Sequence, residues 1–406
     1  MSSEGGGLRL GIVCHPAYGG SGVVASELGL ALAARGHEVH FFSHSLPFRV
    51  RGTSTKAFFH EVEVTSYPLF KYPPYTLSLA TKLLEVHRQT PLDIIHVHYA
   101  IPHAIAAYLC REMIQRGPRP KTITTLHGTD ITLIGLDSSF FEITSFGLDR
   151  SDALTAVSEY LARETEERFR PRTPIRVIPN FIDGSAYSPA LRDEERRRRY
   201  GHPGELLIGH LSNFRPVKRV LDVVRTFHLV QKQLPARLLM MGTGIDLDPA
   251  RGLAADLGIQ ERVHFLGAID DVAGVLPQLD LFLLPSEYES FGLAALESMA
   301  CGVPVISTRT GGVPELIEHG VSGFLCDVGD FPCMADLAVR LLGDAAAHDA
   351  MRRAARERAV ERFPLDRAVD AYEEIYREVL GSREEVSPEG WGPARSPFTP
   401  HRPEAP

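Results

Sequence analysis

Cysteine is sparse and unpatterned in this chain: Cys14, Cys110, Cys301, Cys326 and Cys333 form an odd set without C-x-x-C spacing. Neither a disulfide framework nor a structural zinc site follows from that pattern, and each thiol reads as a small buried hydrophobe. Long apolar runs are also missing. No stretch approaches the ~20 residues of a membrane span, and the opening MSSEGGG has neither the basic nor the apolar region of a signal peptide. A soluble, cytoplasmic protein is therefore expected. Cations are outnumbered, 43 Lys and Arg against 51 Asp and Glu for a net charge of −8, which disfavours general nucleic-acid binding. A dinucleotide fingerprint is absent as well. Gly20 and Gly22 do not complete G-x-G-x-x-G, and the acid that would hold an NAD ribose is replaced near Phe41-Phe42-Ser43-His44. A dehydrogenase reading loses ground on that account.

What is present is apolar content of 44% in 406 residues, enough for two substantial cores. Short apolar runs read as strands at 8–14, 38–43, 93–98, 121–126, 153–157 and 175–178, with helical patterns between them such as 102–115 and 159–169. A second alternating series runs through 206–211, 217–232, 237–241, 263–266 and 281–284. Strand and helix in alternation predict doubly wound parallel sheets, two of them, joined by a short linker and enclosing a cleft. The helical pattern 365–380 ends the ordered chain. Six prolines from Pro388 onward make the tail at 387–406 a candidate for disorder.

Three stretches carry chemistry. Leu284 to Val305 holds a strand end, Glu289, a helix expected to open at Ser290-Phe291-Gly292, and Glu297 within that helix. Backbone N–H groups at such a helix start, near Gly292 and Leu293, attract phosphate, while ionised carboxylates accept hydrogen bonds from hydroxyls. A nucleoside diphosphate sugar supplies both kinds of group. Ser212 to Arg219 is a strand end and turn with three cations in five residues. Arg215 can chelate a phosphate with two parallel donors and Lys218 adds a point charge, so together they suit a departing diphosphate. His15 to Gly22 is a glycine-containing loop between a strand and a helix, which suits phosphate or carboxylate. Tyr99 and His127 fall just past strand ends, and His98 closes one, where such folds bind ligands. Asp246-Leu247-Asp248 matches a metal-binding D-x-D only by spacing, and no essential metal is expected.

Glu289 and Glu297 with Phe291 and Gly292 between them, followed by Gly302-Val303-Pro304-Val305-Ile306 and Gly311-Gly312-Val313-Pro314-Glu315, resemble the E-x7-E region of retaining glycosyltransferase family 4. The resemblance implies a GT-B fold: an acceptor-binding domain at 8–185, a nucleotide-sugar-binding domain at 190–364, and a helix at 365–381 crossing back to the first domain. It implies that Glu297 holds the donor ribose and that Glu289 contacts the transferred sugar. The implied donor site comprises Gly20, Asn180, Arg215, Lys218, Glu289, Phe291, Gly292, Leu293 and Glu297, with Arg215, Lys218, Glu289 and His127 in catalytic roles. Segments 15–22, 96–103, 125–132 and 212–215 further resemble those family members that transfer N-acetylglucosamine from its UDP form to the hydroxyl of L-malate, the first step of bacillithiol synthesis. That resemblance places Ser21, Tyr99, Thr125 and Arg150 around the acceptor. UDP-N-acetylglucosamine is then a co-substrate, and no cofactor is implied. Inositol phosphate or a lipid-linked glycan as acceptor, or epimerisation of UDP-N-acetylglucosamine on the same fold, are the alternative readings. A homo-oligomer is compatible with all of them.

Overall fold

The computed structural model describes residues 7–16, 20–46, 55–64, 72–132 and 134–381. The proline-rich tail and part of the 15–22 loop lie outside the described residues. The chain forms two compact units, one running to Ile178 and resuming at Val369, the other spanning Pro179 to Ala368.

The first unit is built on seven parallel strands: β1 (Arg9–Val13), β2 (Glu38–Ser43), β3 (Ala57–Glu61), β4 (Ile94–His98), β5 (Lys121–Leu126), β6 (Ala153–Ala156) and β7 (Ile175–Val177), in the order β3-β2-β1-β4-β5-β6-β7. Central strands are near-continuous apolar runs, because a parallel sheet covered on both faces leaves no wet side. Leu10, Ile12, Val13, Phe41, Phe42, Ile94, Ile95 and Val97 are all fully buried. β3 lies at the edge and is half-exposed, so its A-F-F-H-E sequence lacks the pattern that marks the inner strands.

The last helix, Leu365–Gly381, belongs to this first unit from Val369 on. Tyr372 and Tyr376 are buried there; the Tyr376 hydroxyl bonds His96 Nδ1 at 2.8 Å, and the Tyr372 hydroxyl lies 3.4 Å from Thr125 Oγ1. Burying one such ring contributes on the order of 2–3 kcal/mol, so this helix is part of the core and not an ornament on it.

The second unit carries six parallel strands: β8 (Leu206–Leu211), β9 (Ala236–Met241), β10 (Val263–Gly267), β11 (Leu281–Leu284), β12 (Val305–Thr308) and β13 (Gly323–Cys326), in the order β10-β9-β8-β11-β12-β13. Ile208, Leu238, Met240, Leu281, Leu283 and Ile306 form one core with Phe214, Val223, Val224 and Phe227. In each sheet the strand order reverses direction once, between β1 and β4 and between β8 and β11. Ligands of open parallel sheets bind beyond the strand ends at such reversals, and every motif singled out above as chemical follows one of the strands at or beside them.

Candidate functional site

Beyond β8 the chain turns sharply. Phe214 (φ 35°) and Arg219 (φ 49°) bracket the turn in the left-handed region, and Pro216–Lys218 forms one turn of 3-10 helix between them. Tyr99 beyond β4 (φ 93°) is a third such residue, so three of the four non-glycine residues with positive φ among those described lie at or beside candidate site positions. Left-handed backbone at such residues costs on the order of 1–3 kcal/mol and persists where surrounding structure holds it for a purpose.

The turn presents its cations differently. Arg219 is committed to Asp222 at 2.6 Å, and the helix Val220–Val230 begins directly after it. Lys218 Nζ donates to Glu289 Oε1 at 2.5 Å, where Ser286 Oγ also donates at 3.0 Å. The Arg215 side chain is exposed and has no hydrogen-bond or ion-pair partner among the described residues. It is therefore available to an anion without breaking an existing pair. Behind the turn, buried His210 donates from Nδ1 to the Leu283 carbonyl, so its Nε2 accepts from Ser212 Oγ at 2.8 Å. Burial lowers the pKa of His210 to about 4, which keeps the ring neutral and this tautomer in place.

Beyond β11, the helix carrying Glu297 spans Leu293–Ala300 rather than opening at Ser290. The physical reason is Gly292, whose φ of +96° breaks the helical run and caps it. Leu293 thus leads the helix, and its first-turn N–H groups are those that follow Gly292. Phe291 is buried edge-to-face on Phe363 at 5.3 Å, so only its backbone is available to a ligand. Glu297, 5% exposed, accepts from the Tyr187 hydroxyl at 2.7 Å. Glu289 is fixed from behind: Gly312 N donates to its carbonyl at 3.0 Å, and a Cβ at Gly311 would come within 1.8 Å of that same oxygen. Asn180 is buried, its Oδ1 without a partner among the described residues.

On the first sheet, Ser21 Oγ donates to the Tyr99 hydroxyl at 3.2 Å. Gly20 is the exposed first residue of the helix Gly20–Ala34. His127 Nε2 meets His98 Nδ1 at 2.9 Å, and His103 Nδ1 donates to the His98 carbonyl at 2.5 Å. Burial lowers the pKa of His96, His103 and His127 to about 3 and that of His98 well below its ordinary value, with neighbouring imidazoles adding to the effect. His127 is a neutral hydrogen-bonding group at physiological pH. Asp130 accepts from Ala100 N and Gly128 N at 2.9 Å, and burial raises its pKa to about 6.

The four expected acceptor residues are thus not presented alike. Ser21 and Tyr99 come together. Thr125 Oγ1 is fully buried among His96 Nε2, Thr155 Oγ1 and the Tyr372 hydroxyl, the first two at 2.7 Å. Arg150 is exposed at the C-terminal end of the helix Phe141–Asp149, its guanidinium 5.1 Å from the Phe146 ring. Nothing in the local sequence marks Tyr187 or Ser286 as site residues; their partners lie 110 and three residues away. Asp246 and Asp248 lie at the start of the helix Leu247–Asp256, Asp248 in an exposed pair with Arg251. No group of three or more His, Cys, Asp or Glu among the described residues could hold a metal ion. No helix among them is long and apolar enough to cross a membrane.

Comparison with known proteins bears on the whole chain. Residues 18–185 match the family described as Glycosyltransferase Family 4, and residues 192–358 match Glycosyl transferases group 1. An N-acetyl-alpha-D-glucosaminyl L-malate synthase from Bacillus anthracis is 49% identical over 92% of this chain and 97% of its own length. A D-inositol 3-phosphate glycosyltransferase from Mycobacterium marinum is 30% identical over 89% of this chain and 82% of its own. Among solved structures, Anabaena Alr3699/HepE in complex with UDP-glucose superposes with a TM-score of 0.75 at 19% identity, covering 91% of this chain and all of that one. Two parallel sheets with this strand order, the paired glutamates and these matches together make the chain a GT-B enzyme that belongs to the family 4 and group 1 glycosyltransferases.

Proposed function

We propose that this enzyme transfers N-acetylglucosamine from UDP-N-acetylglucosamine to the hydroxyl of L-malate with retention of the α configuration, the first step of bacillithiol biosynthesis. The observation that carries the reading is the 49% identity, over nearly the full length of both chains, to a protein named for that product; the inositol phosphate enzyme stands at 30%.

The second unit's groups suit the donor. Glu297, held at one oxygen by Tyr187, offers a charged acceptor to ribose hydroxyls. Unpaired Arg215 and the N–H groups after Gly292 face developing diphosphate charge, and Lys218 is shared between Glu289 and that charge. Because negative charge grows as the glycosidic bond breaks, these donors stabilise the transition state more than bound substrate. Glu289 would hydrogen-bond the sugar, and His127, on the first unit, would act as a neutral hydrogen-bonding group. On the first unit, Ser21 and Tyr99 supply hydroxyl donors to malate and Arg150 supplies full positive charge. Retention follows from attack on the face the diphosphate leaves, with a donor phosphate oxygen taking the malate proton. The scheme uses no metal or organic cofactor.

The test is UDP release from UDP-N-acetylglucosamine by purified enzyme, alone and with L-malate, inositol phosphate or other hydroxyl compounds. L-malate alone should accelerate it, giving an α-linked product by NMR. Acceleration by inositol phosphate but not malate would reassign the acceptor. Free N-acetylmannosamine formed without acceptor would favour the epimerase.

A further inference from the structure

Three of the five cysteines, Cys14, Cys110 and Cys301, are buried singly, but Cys326 and Cys333 meet. Cys326 ends β13 and is buried. Cys333 occupies the first turn of the helix Phe331–Gly343 and is partly exposed. Their Sγ atoms are 3.0 Å apart. Asp330 accepts from Cys333 N at 3.0 Å and so fixes the helix start that turns Cys333 toward the strand. A sulfur–sulfur bond is about 2.05 Å long, so roughly one ångström of approach closes this pair, within the reach of two side-chain rotations. No spacing motif marks it, because the seven-residue interval spans a strand end, a turn and a helix cap.

We propose that Cys326 and Cys333 are a covalent modification site, a dithiol that a low-molecular-weight disulfide converts reversibly to an internal disulfide. Cys333, the accessible thiol, loses its proton and attacks one sulfur of the small disulfide, forming a mixed disulfide and expelling the first small thiolate. Cys326 then gives up its proton, attacks Cys333 Sγ and expels the second. Two protein thiols are oxidised, one small disulfide is reduced to two small thiols, and the two protons leave with them. The burial that pushes the Cys326 thiol pKa up makes it a poor first nucleophile, while its proximity to Cys333 makes it an effective second one.

The bond would pin the outer edge of the second sheet. The Cys326 carbonyl accepts from Arg309 N at 2.7 Å, Thr310 Oγ1 donates to the Glu287 carbonyl at 2.8 Å, and Gly312 N donates to the Glu289 carbonyl. The segment between the cysteine pair and Glu289 is therefore hydrogen-bonded at both ends.

The experiment treats the reduced, full-length protein with bis(2-hydroxyethyl) disulfide, removes the reagent, denatures the protein, alkylates the remaining thiols and reads the intact mass and proteolytic peptides. Three alkylatable thiols of five should remain, and the peptide containing both Cys326 and Cys333 should be about 2 Da lighter than its reduced form. Dithiothreitol should restore all five. Cys333→Ser should retain all four of its thiols and show no such loss. Five alkylatable thiols in treated wild type, a reagent adduct persisting on Cys333, or a disulfide mapped to any other pair would overturn the proposal. The peptide mapping on wild type stands without the variant.

Discussion

Beyond β8 and β11 the polar side chains are charged and partly wet: Lys218 pairs with Glu289, and Arg215 stands exposed. At the ends of β4 and β5 they are dry, with neutral His96, His98, His103 and Thr125 and the Asp130 carboxyl all buried and bonded to one another or to backbone. One sheet end keeps its charge ready for a charged ligand. The other has lost its imidazole charge to burial and retains shape and hydrogen-bond direction. The difference teaches that similar topology at a strand reversal does not dictate electrostatics; the side chains past each strand do.

The largest expected effect tests the dry side. His96, His103 and His127 have folded pKa values of about 3 against 6.5 for an unperturbed histidine. The unfolded chain therefore binds more protons between those values, so stability is full above pH ~6.5 and falls as pH drops, by up to about 1.4 kcal/mol per pH unit for each histidine. Asp130 acts oppositely: its pKa is raised to about 6 from 3.8, so it adds stability as pH falls through 6. One carboxyl does not offset three imidazoles. Urea unfolding followed at pH 7, 6 and 5 should show a steep loss toward pH 5, and a flat profile would mean that the cluster is not buried neutral in solution.

On the charged side, Lys218→Ala should lower turnover by on the order of 100-fold, the range for removing one donor to developing charge. Donor binding should weaken much less. A raised Michaelis constant with unchanged turnover would turn Lys218 into a simple binding residue. Glu297→Gln should weaken UDP binding by about 1.5–3 kcal/mol, the value of hydrogen bonds to a charged group. Calorimetry giving equal affinity for both proteins would remove Glu297 from the ribose.

The smallest predicted change returns to the first unit. Thr125 is committed to the core, and Arg150 alone among the proposed acceptor residues brings positive charge. Arg150→Ala should raise the Michaelis constant for malate about tenfold, which is roughly 1.4 kcal/mol. UDP affinity should not move. If donor affinity falls instead, Arg150 supports the fold and not the acceptor.

Much of the scaffold is legible in sequence for a simple reason. Glu38–Ser43, Lys121–Leu126, Leu206–Leu211 and Leu281–Leu284 are covered on both faces, so their composition changes abruptly at both ends, and the structure has them with the bounds read from sequence. Ala57–Glu61 escapes because an edge strand is half wet, Val305–Thr308 because its second half, Ser307-Thr308, is polar, and Gly323–Cys326 because it too lies at a sheet edge. At the site, local rules suffice where function is local. Lys218 and Arg215 share one turn, and Gly292 marks a helix start, although its positive φ moves that start three residues on. They do not suffice for Tyr187 on Glu297 or Tyr372 beside Thr125, since those partners are 110 and 247 residues apart and only the assembled fold brings them together.

The buried tyrosines of the last helix have a consequence for how the protein is made. Thr125 and His96 leave the ribosome early, yet Tyr372 and Tyr376, which cover them, are among the last residues described. About 190 residues separate Ile178 from Val369. At ~5–20 residues per second, the nascent first unit waits roughly ten to forty seconds for its final piece. During that interval its imidazole row is uncovered, and a chain ending between Cys326 and Val369 carries every strand of the second unit but lacks the tyrosines that cover that row.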